Sequence, residues 1–114
     1  MINTKRKGYR VERKIRTILE KHGWKVVRAG GSFGEADLIS IKNKKCILLQ
    51  IKSTSKDKFY YYGTLAETIE GFPFYLVVDF GYGKTKITKP KKWISKSEGI
   101  SIESFLSKQE KVKV

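Results

Sequence analysis

Three polar side chains in two apolar stretches are the residues of this sequence best suited to chemistry. Asp37 stands where an apolar stretch begins, three positions after the end of the glycine-rich segment 30–34. Gln50 and Lys52 end a second apolar stretch, and their spacing of two places them on the same face of a strand. If the two stretches pair as a hairpin, the start of the first lies beside the end of the second. We therefore expect Asp37, Gln50 and Lys52 to converge on one patch.

A fourth candidate, Glu12, lies on a predicted helix. On a helical wheel it falls at the edge of the apolar stripe, from where a carboxylate can reach into a cleft between the helix and a sheet. The stripe consists of Val11, Ile15, Ile18 and Leu19. Taken alone, Glu12 is better explained as a surface residue that pairs with Arg16 at i+4, whereas Asp37 is equally well explained as a turn residue at the start of a strand.

The scarcity of sulfur and imidazole limits the kind of metal site. The chain has one His and one Cys, at positions 22 and 46, so a disulfide within the chain and a Cys-rich zinc site are both excluded. A metal site would need carboxylate and carbonyl oxygens, which suit Mg²⁺ or Mn²⁺ better than Zn²⁺.

The charge balance points to a polyanionic partner. The 114 residues include 25 Lys and Arg but only 11 Asp and Glu, which gives a formal net charge of +14. The basic residues concentrate in segments 1–30, 42–58 and 84–96, whereas segment 59–83 carries no basic residue. This pattern favours nucleic acid, and the less basic segment fits a core or a subunit interface. No apolar stretch is long enough to cross a bilayer and no secretory signal is evident, so we expect a cytoplasmic, nucleoid-associated protein without a membrane partner.

The apolar patterns predict one domain over residues 1–114, with a basic N-terminal arm over 1–8 and a fraying tail over 109–114. The element order is α-β-β-β-α-β-β-α, which fits a mixed sheet flanked by helices. The predicted helices cover 9–22, a short segment from Thr64 that Gly71 ends, and 102–108 with Ser101 as its cap. The predicted strands cover 24–29, 36–42, 46–53, 74–80 and 84–89.

The ordered set of motifs resembles a known nuclease pattern. The pattern of the PD-(D/E)xK superfamily resembles the order found here, which is Glu12, Asp37 and then Gln50-Ile51-Lys52. Over residues 5–106 the chain resembles the archaeal-type Holliday junction resolvases more closely. Further matching motifs are Lys7-Gly8, Glu12-Arg13, Val27-Arg28, Gly31-Ser32, Asp37-Leu38-Ile39, Ser53 and the aromatic run 59–62. The resemblance implies a restriction-endonuclease-like α/β fold, with a mixed five-stranded β-sheet flanked by helices.

The same resemblance implies a homodimeric, metal-dependent endonuclease that resolves four-way junction DNA, with no small-molecule cofactor beyond Mg²⁺ or Mn²⁺. It implies Glu12, Asp37, the residue at position 50 and the Ile51 carbonyl as metal ligands. Lys52 would position or activate the attacking water and stabilise the developing charge. The catalytic set so implied is Glu12, Ser32, Asp37, Gln50 and Lys52.

The DNA contacts are expected from matched family positions and from the basic segments. Arg13, Arg28 and Ser32 match positions that contact or orient the scissile phosphate. The full DNA-binding set expected is Lys5, Arg6, Lys7, Arg13, Arg28, Lys56 and Lys58.

Two departures from the family pattern leave alternatives open. The family usually has Glu where this chain has Gln50, so a catalytically weak or silent protein that binds junction or duplex DNA is one alternative. Another small PD-(D/E)xK nuclease of the repair or restriction type is a second. Segment 64–71 looks short beside the family's second helix, which leaves the dimer geometry open. The aromatic run 59–62 fits either base stacking or packing at a sheet edge or dimer interface.

Overall fold

The computed structural model describes the backbone of residues 4–111 and the side chains of residues 8–108. Helix α1 spans Thr4–Lys21, so it begins five residues before the predicted start and takes in part of the predicted arm. The added turn contains Lys and Arg, which are good helix formers. Gly23, with φ of 84°, ends the helix as expected, because its N–H and that of Trp24 bond to the last carbonyls of α1.

Nine strands and a second helix follow α1 in the described part of the chain. Their bounds are β1 Lys25–Arg28, β2 Leu38–Lys42, β3 Lys45–Ser53, β4 Lys58–Tyr60, β5 Thr68–Ile69, β6 Phe72–Asp79, β7 Thr85–Thr88, β8 Trp93–Ser95, β9 Ile100–Ser101 and α2 Ile102–Lys111. The predicted cap of α2 is present, since the Ser101 hydroxyl accepts the Ser104 N–H at 3.1 Å.

The main sheet has seven described strands where five were expected: its order is β1-β2-β3-β6-β7-β9, and β5 pairs with β6 off this path. The first five strands of the order are the five predicted ones. Only β3 and β6 pair in parallel; the other pairs along this order are antiparallel. The prediction of a mixed α/β fold is therefore confirmed. Both helices pack on the same face of the sheet, where Ile15 and Leu19 of α1 and Leu106 of α2 meet Leu49 and Val77.

The opposite face is covered without a helix. A two-stranded ribbon formed by β4 and β8, here the β4–β8 ribbon, places Ile94 against Leu76 and Val78 of β6. The glycine-rich loop after β1 contributes Ala29 and Ala36, which pack with Leu48.

The predicted helix over 64–71 is wrong. Thr68–Ile69 instead pairs with Phe72–Pro73 as a tight hairpin. Its two turn residues, Glu70 and Gly71, have φ values of 52° and 83°, as a two-residue type I′ turn needs. The hydroxyl of Thr64 accepts the N–H of Ala66, two residues on, and so forms a turn in place of a helix cap.

The β2–β3 hairpin sets the register that matters for the site. Asn43 and Lys44 form its turn with φ values of 48° and 68°, and Leu38 pairs with Leu49. This register places the residue before β2, Asp37, beside the end of β3.

No helix in the stretch from residue 4 to residue 111 is long and apolar enough to cross a membrane.

Candidate active site

Asp37 is fixed at the mouth of the sheet by its own backbone and by its side chain. Its N–H donates to the Leu49 carbonyl at 2.7 Å, and its carbonyl accepts the Ala29 N–H at 2.9 Å. Its Oδ2 accepts two further hydrogen bonds, from the Ile51 N–H at 2.8 Å and from Gln50 Nε2 at 3.0 Å. The carboxylate is therefore held rigidly, while the structure shows no hydrogen bond from a described residue to its Oδ1.

The backbone of Ile51 faces the same opening. In a strand, the N–H and C=O of one residue point to the same edge, and the Ile51 N–H points to Asp37. Strand β2 begins only at Leu38, so the Ile51 carbonyl points past the end of β2. The Ile51 carbonyl thus lies beside the Asp37 carboxylate, where it could serve as a second oxygen ligand for a metal ion.

Glu12 reaches the same opening from helix α1. It lines a cleft of about 360 Å³, which we call the carboxylate cleft. The residues that line this cleft are Gly8, Tyr9, Glu12, Arg28, Asp37 and Ile51. The Glu12 side chain is 13% exposed, and its Oε1 accepts a hydrogen bond from Arg28 Nε at 3.1 Å. The partner of Glu12 is therefore Arg28, at the end of β1 and across the cleft. Arg16, the i+4 neighbour on the same helix, is the partner that the sequence alone suggested.

Lys52 lies on the other side of the strand end. With Gln50, Glu35 and residues 59–63 it lines a second cleft of about 470 Å³, the tyrosine cleft. Gln50 connects the two clefts, because its amide donates to Asp37 while its side chain lines the tyrosine cleft. The Lys52 side chain is half-buried, and no ion pair engages it among the described residues.

Glu35 is a site residue that the sequence reasoning missed. Its Oε2 accepts hydrogen bonds from the Tyr61 hydroxyl at 2.8 Å and from the Thr64 N–H at 2.6 Å. Burial, together with this hydrogen bond and the nearby negative charges, raises the pKa of Tyr61 well above its usual value, so the hydroxyl stays protonated and donates. The one signal in the sequence was the position of Glu35 two residues before Asp37.

The other predicted contact residues among those described line neither of these two clefts. Arg13 is exposed on α1, and Ser32 is exposed in the glycine-rich loop. Lys56 is exposed as well, while Lys58 lies over the Trp93 ring at 4.9 Å and lines a third cleft with Lys84 and Lys96. The side chains of Lys5, Arg6 and Lys7 lie outside the described residues.

The donor set at the carboxylate cleft fits a hard divalent cation, with less negative charge than three carboxylates would give. Glu12 and Asp37 would offer carboxylates and Ile51 a carbonyl, while the Gln50 amide reaches Asp37 from the tyrosine cleft. No group of three His, Cys, Asp or Glu residues gathers to hold a metal within the described part of the chain. All the donors are oxygen, which suits Mg²⁺ or Mn²⁺.

Comparison with known proteins gives three results. Residues 3–77 match the family described as archaeal Holliday junction resolvase (Hjc). A protein of Methanocaldococcus jannaschii named crossover junction endodeoxyribonuclease Hjc is 42% identical over 55 residues, a stretch that covers 48% of this chain and 41% of that relative's length. The structure of Archaeoglobus fulgidus Hjc, described as a Holliday junction resolvase, superposes with a TM-score of 0.67 at 19% identity, covering 89% of this chain and 96% of the other.

Proposed function

The chain belongs to the archaeal Holliday junction resolvase family, and from that premise we propose that it is an endonuclease that resolves four-way DNA junctions by hydrolysing phosphodiester bonds. The observation that carries the proposal is the rigid cluster of Asp37, Gln50 and Ile51, which opens on the same cleft as Glu12. The basic composition supplies the attraction for DNA.

We propose that Asp37, Glu12, the Ile51 carbonyl and Gln50 hold the metal on which nucleases of this family depend, with Mg²⁺ as the ion and Mn²⁺ as a substitute. A bound divalent cation would polarise the phosphate and lower the pKa of the attacking water. The two hydrogen bonds to Oδ2 orient Asp37 and leave its Oδ1 without a hydrogen bond from a described residue. Gln50 thus serves first to orient Asp37, and its amide oxygen is the weaker of the proposed ligands.

Cationic side chains complete the proposed chemistry. The half-buried ammonium of Lys52 has no carboxylate partner among the described residues, so it is available to a phosphate oxygen as negative charge develops. Arg28 is 62% exposed while it holds Glu12 in place. It can therefore also bind the phosphate that enters the carboxylate cleft. Arg13 and Ser32 keep their proposed role as outer contacts to the scissile strand.

We further propose that residues 1–114 form one nuclease domain that acts as a homodimer in the cytoplasm. Two copies would present two active sites to symmetry-related strands of a junction. Leu65 and Phe72, which are exposed large apolar side chains of the segment without basic residues, support a subunit contact there.

Selectivity for the junction is tested by substrate competition. The protein is incubated with Mg²⁺, a labelled four-way junction and a linear duplex that contains the same arm sequence. We expect nicks confined to the junction. Equal cutting of the duplex would instead favour a small nuclease of the repair or restriction type.

A second candidate function is binding without efficient cleavage. The observation that favours it is the Gln50 amide, which donates to Asp37 where a carboxylate would add negative charge for a metal. On this account the wild type binds junctions and leaves them intact, while a Gln50→Glu variant nicks them.

The Gln50→Glu substitution also makes a prediction about stability. Without metal, the carboxylate introduced at position 50 would replace the 3.0 Å hydrogen bond to Asp37 with repulsion between two carboxylates. We expect the variant to lose about 1–3 kcal/mol of unfolding free energy in EDTA, and to regain stability when Mg²⁺ is added, because a ligand that binds only the folded state stabilises it. Thermal unfolding with and without Mg²⁺ measures this, with the wild type as control. If Mg²⁺ leaves the stability of the variant unchanged, position 50 is not part of the proposed metal site.

DNA binding should depend steeply on salt. Neutralising several phosphates releases counterions, so the logarithm of the affinity should fall linearly with the logarithm of salt, with a slope of about −0.9 for each phosphate contacted. Junction binding is measured by fluorescence anisotropy in EDTA between about 50 and 200 mM salt. We expect Lys56→Ala and Lys58→Ala each to reduce the magnitude of the slope by about one. A slope near zero in the wild type would contradict the nucleic-acid assignment itself.

A further inference from the structure

The tyrosine cleft presents two aromatic rings beside the proposed catalytic strand. Side chains alternate along the run 59–62: Phe59 is half-buried and Tyr61 is 4% exposed, whereas Tyr60 is 56% and Tyr62 93% exposed. The buried pair packs beneath the sheet with Leu76 and Ile94. The exposed pair lines the cleft together with Lys52.

The segment that carries these rings is tied to the residues before β2. Glu35 accepts hydrogen bonds from the Tyr61 hydroxyl and from the Thr64 N–H, on either side of Tyr62. Gly63 leaves room for these hydrogen bonds, because a Cβ added there would lie 2.6 Å from Glu35 Oε2. The segment that carries the two exposed rings is thus anchored to Glu35, which lies only two residues before Asp37.

The composition of the tyrosine cleft fits one kind of occupant. Lys52 supplies a positive charge, Gln50 an amide, and Tyr60 and Tyr62 supply ring faces, within about 470 Å³. Bases stack on exposed aromatic side chains whatever their sequence, since every base has a π-face, and a lysine beside them attracts the phosphate of the same nucleotide. A base inside an intact duplex is already stacked, whereas a base beside a strand crossover is more easily unstacked.

From this geometry we propose that the tyrosine cleft binds an unstacked nucleobase next to the scissile phosphate, with Tyr60 and Tyr62 as the stacking surface and Glu35 as the positioning residue that holds them. The inference rests on the proposed function for the identity of the DNA. It adds the place at which this chain distinguishes a branch point from a duplex.

Photochemical crosslinking tests the contact directly. 5-Iodouracil is placed beside the crossover of a four-way junction and, separately, at the same sequence in a linear duplex, both in EDTA so that the DNA stays intact. We expect irradiation to link the junction base to Tyr60 or Tyr62, as located by tandem mass spectrometry, and to give far less product with the duplex. A crosslink elsewhere, or equal crosslinking of the duplex, would overturn the proposal.

Affinity gives the second readout. A Tyr60→Ala/Tyr62→Ala double variant should bind the junction about 5- to 150-fold more weakly, the range that loss of base stacking produces. Its affinity for the linear duplex should be unchanged. Tyr82→Ala is the matched control, because Tyr82 is fully exposed on the turn between β6 and β7. Wild-type junction affinity in the double variant would overturn the proposal. A change in its oligomeric mass would overturn it as well, because it would show that the rings serve subunit packing.

Glu35 is tested by comparison of two substitutions. Glu35→Gln keeps an acceptor for the Tyr61 hydroxyl and the Thr64 N–H, whereas Glu35→Ala removes it. We expect Glu35→Ala to lose the Tyr60 and Tyr62 crosslink and Glu35→Gln to retain it, with the far-UV spectrum unchanged in both. An Ala variant that crosslinks like the wild type would remove Glu35 from the positioning role.

The two proposals fail separately. If the wild type nicks junctions but no crosslink forms at these tyrosines, the nucleobase site is wrong and the nuclease function stands. If the crosslink forms on the junction while no condition yields nicks, the nucleobase site stands and the nuclease function is wrong.

Discussion

Replacing Asp37 by Asn is expected to slow junction nicking by at least about 10²-fold, the scale seen when one preorganised electrostatic group is removed, while junction affinity stays near that of the wild type. The substitution is nearly isosteric. The Asn oxygen can still accept the hydrogen bonds that the Ile51 N–H and Gln50 now donate to Oδ2. What is lost is the negative charge that the proposed metal requires.

Single-turnover nicking and anisotropy binding, run on the same preparation, separate these two effects. Asp57→Asn is the matched control, because the Asp57 side chain is 87% exposed and pairs with Lys96 at 3.5 Å. The control should nick at the wild-type rate. An Asp37→Asn variant that nicks as fast as the control would show that the cleavage centre lies elsewhere.

Replacing Lys52 by Met should lower the nicking rate by about 10²- to 10³-fold. Met keeps the apolar stem of a half-buried side chain and removes the ammonium, which has no carboxylate partner among the described residues. The positive charge is therefore available for the transition state and is not needed for an ion pair, so we expect little change in the stability of the fold.

Lys45→Met provides the comparison, since Lys45 begins the same strand and is exposed at its far end. Both variants lose one positive charge, so the comparison corrects for the change in net charge. Only Lys52→Met should lose the nicking rate. Equal nicking rates in the two variants would contradict the proposed role of Lys52.

The strand that carries the site was predictable because its pattern is local. The apolar run before Gln50 marks a buried strand, and the short polar turn before it marks a hairpin, so the meeting of Asp37 with Gln50 follows from pairing alone. The helical wheel likewise placed Glu12 at the edge of the buried stripe, from where it reaches the carboxylate cleft.

What the sequence could not predict depends on contacts between distant segments. Glu35 gains its place from Tyr61, 26 residues further along the chain, and no local pattern indicates that pair. Thr64 begins a sequence that is typical of a capped helix, but the hairpin that Glu70 and Gly71 allow prevails there. Strands β4, β8 and β9 have only two or three residues each, too few for an alternating pattern to be recognised.

The central claim is that the cluster around Asp37 hydrolyses DNA at a four-way junction. Its most direct test is single-turnover nicking of a labelled junction by the wild-type protein, with Mg²⁺ and with EDTA. We expect paired nicks at symmetry-related positions on two opposite strands, which form with Mg²⁺ and are absent in EDTA. A junction that is tightly bound yet stays intact at every concentration of Mg²⁺ and of Mn²⁺ would contradict it.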